Sequence, residues 1–230
     1  MRTCYSAIFG PVDDIKRPFN LSQHWKYVMY TDQDLESDVW EIRKVPVMSF
    51  GPAKTARWYK INAHKHLDTE DSLWVDGTFF VNCDLNRWWK RFQQPMTVIN
   101  HPFDDCIFTD VKSCIGLGKG DFWKLTEQAH DYRNMGIPMN NGLIASGILM
   151  RTNTLEVRQL CDTWWSQVER YTERDQIGFG YAAWKHPGVT NYIDWNYTTM
   201  NEFIHVPHLS KQWRNEKFDK IMKQYGRKAG

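Results

Sequence analysis

The stretch Ser72-Leu-Trp-Val-Asp-Gly-Thr-Phe-Phe-Val81 constrains the fold more than any other segment of this chain. It reads as a buried strand that breaks on an acidic residue and a glycine, Asp76-Gly77. Bulky apolar neighbours on both sides would bury the Asp76 carboxylate at a cost unless it meets a ligand. In open α/β sheets, ligands bind just beyond the carboxyl ends of the strands. An aspartate at that position, followed by a glycine that lets backbone approach closely, suits a metal-bound phosphate. Taken alone, the same residues describe an ordinary strand-ending Asp-Gly turn equally well.

The neighbouring segments place this stretch in an alternating pattern. Strands are expected over Arg2–Phe9, Trp25–Tyr30 and Val39–Val45, then a helix over Pro52–Leu67 ahead of the Ser72–Val81 strand. A short helix follows from Asp84, a candidate N-cap, to Phe92, and a strand over Met96–Asn100. Residues 104–135 read as helical, interrupted at Gly116-Leu-Gly-Lys-Gly120; without the spacing of a phosphate-binding loop, that cluster reads as a connection. A strand over Leu143–Arg151, a helix over Asn153–Tyr171, a helical segment over Ile177–Trp184 and a last strand over Val189–Ile193 complete the pattern. Strands alternating with helices indicate a mainly parallel α/β sheet in one domain.

With 42% hydrophobic and 24% charged residues, the chain has a globular balance. A net charge of +2 excludes a chain that is basic overall, yet seven Lys and Arg against two acids fall between Lys211 and Lys228. In that tail Phe218, Ile221, Met222 and Tyr225 recur at helical spacing, so residues 211–230 are expected to form a basic amphipathic helix behind a domain over 1–210. Five cysteines with no CxxC pair read as free thiols in a reducing compartment. No leader pattern and no apolar run of membrane-spanning length is seen, so a cytoplasmic protein without membrane insertion is expected.

Four clusters could carry chemistry. Lys54, Arg57 and Lys60, three apart on a helix, lie near one another and could face a diphosphate, or simply form a wet face. Asn140-Asn141-Gly142 flanks an apolar strand, where amides can meet sugar hydroxyls or make a turn. Glu173-Arg174-Asp175-Gln176 opens a helical segment and could orient a sugar or assist at a reacting carbon. His205 and His208, expected in a loop after the last strand, could complete a metal site with Asp76. No GxSxG, HExxH or GxGxxG occurs, which argues against a serine hydrolase, a zincin and a dinucleotide oxidoreductase.

Seven short motifs occur in order: Tyr5-Ser-Ala-Ile-Phe-Gly10, Tyr30-Thr-Asp32, Ala56-Arg-Trp-Tyr-Lys60, Leu73-Trp-Val-Asp-Gly77, His101-Pro102, Asn140-Asn-Gly-Leu143 and Arg174-Asp-Gln176. In these the chain resembles the glycosyltransferase-like family of plant turgor-regulation and mucilage-related proteins and their bacterial and viral relatives. The resemblance spans about residues 3 to 195. It implies a single-domain GT-A fold, a Rossmann-like mixed sheet flanked by helices, and transfer of a sugar from a nucleotide-diphosphate donor, a UDP-sugar, with Mn²⁺ or Mg²⁺. By the same resemblance, Phe9, Gly10, Thr31 and Asp32 would border the nucleotide, and Arg57 and Lys60 would face the diphosphate. Asp76-Gly77 would be a metal-binding element of the DxD type, with Thr78, His205 and His208 as further candidate ligands. Asn140, Asn141, Gly142 and the catalytic candidates Asp175 and Gln176 would surround the donor sugar. The chain departs from the pattern at Thr78, where a full DxD carries a second carboxylate and a hydroxyl is the weaker ligand. It departs again at Ser146, where relatives are expected to carry an acid.

The acceptor is open at this level: a saccharide, a protein, or a nucleic acid carrying a hydroxylated base. A non-catalytic module that keeps the fold and binds a nucleotide sugar or nucleic acid is the alternative, and Thr78 and Ser146 are the residues that favour it.

Overall fold

In the computed structural model, residues 1–196 and 201–206 are described. His208 and the expected helix over 211–230 lie outside the described residues. Seven strands form the main sheet: β1 (Arg2–Ile8), β2 (Trp25–Thr31), β3 (Glu41–Lys44), β4 (Asp71–Val75), β6 (Met96–Asn100), β7 (Ile144–Thr152) and β8 (Thr190–Ile193). Two short strands, β5 (Phe79–Val81) and β9 (Phe203–His205), form a second sheet. The helices are α1 (Pro52–Ile61), α2 (Ala63–His66), α3 (Leu85–Phe92), α4 (Ile107–Gly116), α5 (Phe122–Asn134), α6 (Leu155–Arg170) and α7 (Asp175–Lys185).

The main sheet runs in the order β3-β2-β1-β4-β7-β6-β8. All its pairings are parallel except those of β7, which runs antiparallel to both β4 and β6. The expected mixed α/β sheet flanked by helices is what the chain forms. The chain steps outward from β1 to β2 and β3, then crosses back through α1 and α2 to β4 on the other side of β1. That reversal creates a crevice between the carboxyl ends of β1 and β4, the place where such sheets bind ligands.

Successive residues of each central strand enter opposite cores. Tyr5, Ala7, Trp74 and Leu149 pack with Tyr59 and Ile61 of α1 and with Leu160 and Trp164 of α6. Cys4, Ile8, Leu73, Val75 and Ile148 pack on the other face with Leu85, Trp88 and Trp89 of α3. Burial on both faces explains why these strands read as continuous apolar runs rather than alternating ones. A third cluster gathers α4, α5 and the start of α7 around Tyr132, Leu125 and Ile177.

Three expectations are corrected. The helix expected over Pro52–Leu67 breaks at Asn62, whose backbone N–H makes the last ladder bond to the Trp58 carbonyl while its side-chain amide donates to the same oxygen and competes for it. The stretch Ser72–Val81 is not one strand: the chain leaves the main sheet at Asp76, turns tightly with Phe79 N–H donating to Asp76 O, and enters the small sheet. His205 lies on β9, not in a loop, with its register opposite Phe79. Among the described residues no helix is long and apolar enough to cross a membrane, and Cys4, Cys83, Cys106, Cys114 and Cys161 are free thiols.

Candidate active site

Two clefts meet at the end of β4. The larger, about 520 Å³, lies in the crevice between β1 and β4. The strand-end segments Ala7–Phe9 and Asp76–Thr78, the loop residues Pro11, Val12 and Asp13, and Pro52, Ala53, Ala56 and Arg57 of α1 line it. Pro52 and Ala53 are the first residues of α1, so the positive end of that helix's dipole borders the crevice. Gly10 at the strand end has φ 71° and is held by Asp32, whose Oδ1 accepts its N–H at 2.9 Å. Thr31 is buried and its Oγ1 accepts the Gln33 N–H at 3.1 Å, so Thr31 and Asp32 shape the loop that carries Phe9.

The smaller cleft, about 330 Å³, shares Arg57, Asp76 and Thr78 with the larger one. Its centre is a buried network of charges. The Lys60 ammonium lies 2.7 Å from Asp175 Oδ2 and 3.4 Å from Asp76 Oδ1, and donates to Ser146 Oγ at 3.0 Å. Ser146 Oγ in turn donates to Asp175 Oδ2 at 3.0 Å. Arg57 Nε stands 3.4 Å from Asp175 Oδ1 without making a hydrogen bond. Lys60 is only 1% exposed, so the ammonium has exchanged water for these partners.

Burial alone would raise the Asp175 carboxyl, but the charges of Lys60 and Arg57, with the Lys60 hydrogen bond and the Arg174 charge, outweigh it and hold the group well below the usual carboxylate range. A carboxylate so stabilised is a weak base at neutral pH. Its geometry suits holding Lys60 and Arg57 in place better than accepting a substrate proton. Asp175 sits at the start of α7, and Trp164 Nε1 donates to its backbone oxygen at 2.7 Å, which fixes the helix start.

Asp76 is placed by its neighbours on both strands. Its N–H donates to Gly147 O at 2.8 Å, and Trp74 Nε1, two residues back on the same side of β4, donates to its Oδ1 at 2.7 Å. A Cβ at Gly147 would fall 2.6 Å from a Phe79 ring carbon and 3.5 Å from Asp76 Oδ2, so only glycine lets β7 approach the carboxylate this closely. Gly77 is similarly confined: a Cβ would stand 3.0 Å from Ile8, and its carbonyl accepts a hydrogen bond from Lys16, which is also paired with Asp13 at 3.3 Å.

The structure separates some residues that the sequence groups together. Lys54 reaches away from Lys60 to the backbone oxygens of Glu169 and Tyr171, because the six-residue step between them carries the helix well past one turn onto another face. Gln176 lines the smaller cleft, but its amide is engaged at both ends, donating to Ile144 O at 2.6 Å and accepting from Arg174 at 3.1 Å. Asn140 is exposed in the left-handed region at φ 57°, Asn141 donates to Gly180 O at 3.2 Å, and Gly142 N–H donates to Asp105 O at 2.9 Å. These three build the loop entering β7 and line neither cleft. Residues given no site role from sequence also line the smaller cleft: His101, Lys119, Arg174 and Trp195. His101 carried a signal in the His101-Pro102 motif and Arg174 in the Arg174-Asp-Gln176 motif.

For a divalent ion, Asp76, Thr78 and His205 line the same cleft. Among the described residues no group of three or more His, Cys, Asp or Glu converges, and Lys60 already stands between Asp76 and Asp175. One carboxylate with a hydroxyl and an imidazole is a sparse donor set, and a divalent ion held there would take most of its ligands from substrate phosphates and water.

Residues 29–203 match the profile of the TOD1/MUCI70, glycosyltransferase-like domain. The chain is 22% identical over 219 residues to "Probable hexosyltransferase MUCI70" of Arabidopsis thaliana, which covers 81% of this chain and 38% of that protein. The chain therefore spans less than half the length of the curated relative it matches. It is also similar to the solved apo form of mouse xyloside xylosyltransferase 1, with 10% identity, a TM-score of 0.49, and coverage of 97% of this chain and 92% of that one. With the domain profile matched across well over half of its length, the chain belongs to the TOD1/MUCI70 glycosyltransferase-like domain family.

Proposed function

We propose that this chain transfers a hexosyl or pentosyl group from a nucleotide-diphosphate sugar, a UDP-sugar, to an acceptor hydroxyl. The observation that carries this reading is the meeting of two clefts at Asp76. One cleft is bounded by the positive end of α1, and the other holds Lys60, Arg57 and Asp175. The crevice between β1 and β4 takes the nucleotide, with Phe9 and Ala56 as apolar walls. The diphosphate lies where Arg57 faces both clefts. The sugar extends into the smaller cleft beside Asp175, Ser146 and Gln176.

In the reaction, the acceptor oxygen bonds to the anomeric carbon as the bond from that carbon to the diphosphate oxygen breaks. The acceptor's proton passes to the departing diphosphate or to solvent. Arg57, Lys60 and the first turn of α1 stabilise the charge that grows on the leaving group. Asp175 keeps the two cations aimed, and Ser146 bridges Lys60 to Asp175. A divalent ion, when bound, would be held by Asp76, with Thr78 and His205 alongside, and would add positive charge at the leaving diphosphate. Saccharide, protein and hydroxylated nucleic-acid acceptors all present the required hydroxyl.

The test is release of free nucleoside diphosphate from a panel of UDP- and GDP-sugars with and without Mn²⁺, water serving as acceptor. Release from a UDP-sugar supports the reading. Binding of UDP with no release from any donor would instead favour a non-catalytic nucleotide-sugar module, a reading the engagement of Asp175 by Lys60, Arg57 and Ser146 makes concrete.

A further inference from the structure

The smaller cleft carries more positive charge than its own carboxylates answer. Arg57, Lys60, Lys119 and Arg174 line it, against Asp76 and Asp175. Both carboxylates face Lys60, and Asp175 also faces Arg57, which leaves Lys119 and Arg174. Among the described residues neither of these two makes an ion pair, and the Arg174 charge reaches Asp175 and Asp110 only at longer range. Neither lines the crevice between β1 and β4, so the surplus belongs to the smaller cleft alone.

The chain brings the two cations together. Lys119 stands in the loop between α4 and α5, where its N–H donates to Cys114 O at 2.8 Å. The next residue, Gly120 at φ 86°, lies against Arg174: a Cβ there would stand 3.4 Å from Arg174 Cγ. Arg174 spends one hydrogen bond on the Gln176 amide oxygen, a neutral partner that leaves its charge unanswered. Lys119 is exposed, so a ligand can reach its ammonium. A cleft with an excess of one charge draws the opposite charge. The diphosphate lies at Arg57, on the side shared with the larger cleft, so the excess falls where the donor sugar extends. About 330 Å³ is room for a hexose. No basic track for a phosphate polymer leads there, because residues 101–124 hold four Asp against three Lys.

We propose that the smaller cleft selects a sugar bearing a carboxylate, of the hexuronic-acid class, with the Lys119 ammonium donating to that carboxylate and Arg174 supplying charge behind it. A hexuronosyl group is a hexosyl group whose last carbon is a carboxylate, so the proposal rests on the sugar transfer proposed above and adds the class of sugar to it.

The experiment compares UDP-glucuronate and UDP-galacturonate with UDP-glucose and UDP-galactose as donors, water serving as acceptor. The acidic donors should show a kcat/KM at least about tenfold higher, the worth of one charge-assisted hydrogen bond. In Lys119→Glu that ratio should fall below one; the substitution is on an exposed loop, where stability shifts little, and Tm verifies the fold. A second arm supplies a neutral UDP-sugar with methyl glucuronoside or methyl glucoside as acceptor. A preference for the acid there, abolished in Lys119→Glu, supports the proposal with the carboxylate on the acceptor. Equal rates for acidic and neutral sugars in both arms, or a preference that Lys119→Glu leaves intact, would overturn it. If no donor releases UDP, the transfer reading fails on its own, and dissociation constants decide the proposal. Tighter binding of UDP-glucuronate than of UDP-glucose, lost in Lys119→Glu, supports it, and equal constants overturn it.

Discussion

Lys60 is the residue on which the cleft's electrostatics turn. It is one cation facing Asp175 and Asp76, all but removed from water. Removing one partner of a buried pair leaves the other uncompensated, at about 3–5 kcal/mol. Lys60→Met should therefore lose stability of that order in urea denaturation, and adding Asp175→Asn should recover part of it, since the stranded charge goes too. A Lys60→Met protein as stable as wild type would remove the network from the account. His66 offers a pH test at the same scale. It is ringed by Tyr5, Tyr30, Trp58 and Tyr59, with its Nε2 on Tyr59 O at 2.8 Å. Burial pushes its imidazole down to about 4, with the Arg151 and Arg43 charges adding and the Tyr59 hydrogen bond opposing. The folded value lies below the unfolded one, so the contribution is complete above the ordinary histidine range and is lost as pH falls toward 4. Folding free energy should drop by about 1–2 kcal/mol from this group between pH 7 and 5, and His66→Gln should flatten that slope; an unchanged slope would contradict the assignment.

Between elements, the decisive contact is the approach of β7 to the end of β4. Gly147 permits it, because a side chain there would collide with Phe79 beside Asp76. Gly147→Ala should cost about 1–3 kcal/mol by overpacking and should reduce turnover by a larger factor than stability alone explains, since the displaced groups are Phe79 and Asp76. Full turnover in that variant would show that the carboxylate's position is not critical. Most elements could be read from the sequence because apolar runs and caps are local signals: Met96–Asn100 matches β6, and Asp84 caps α3 by accepting the Asn86 N–H at 2.9 Å. What local signals do not carry is pairing direction and sheet membership. The antiparallel course of β7, and the division of Ser72–Val81 between two sheets, depend on strands far away in sequence. β9 escaped notice because three residues, Phe203–His205, hold no period to read.

Over the whole molecule, some of the residues expected from sequence at a site converge on one crevice and others do not. Asp76, Arg57, Lys60 and Asp175 come together because one crevice collects the carboxyl ends of β1 and β4, the first helix after β3 and the start of α7. Asn140 and Asn141 lie on a loop that lines neither cleft, and the Asn141 amide serves the Gly180 backbone oxygen, a use the sequence does not distinguish from ligand binding. His101, Lys119, Arg174 and Trp195 converge on the cleft from four separate segments and share no spacing a reader could detect. On the proposed reading, the joined clefts at Asp76 hold and cleave a nucleotide-diphosphate sugar. The most direct measurement is the rate of UDP release from a UDP-sugar by the wild-type and Asp76→Ala proteins, each shown to be folded by its Tm. The wild type should release UDP, and the variant should lose at least about 100-fold of that rate. Equal release by the two proteins would contradict it.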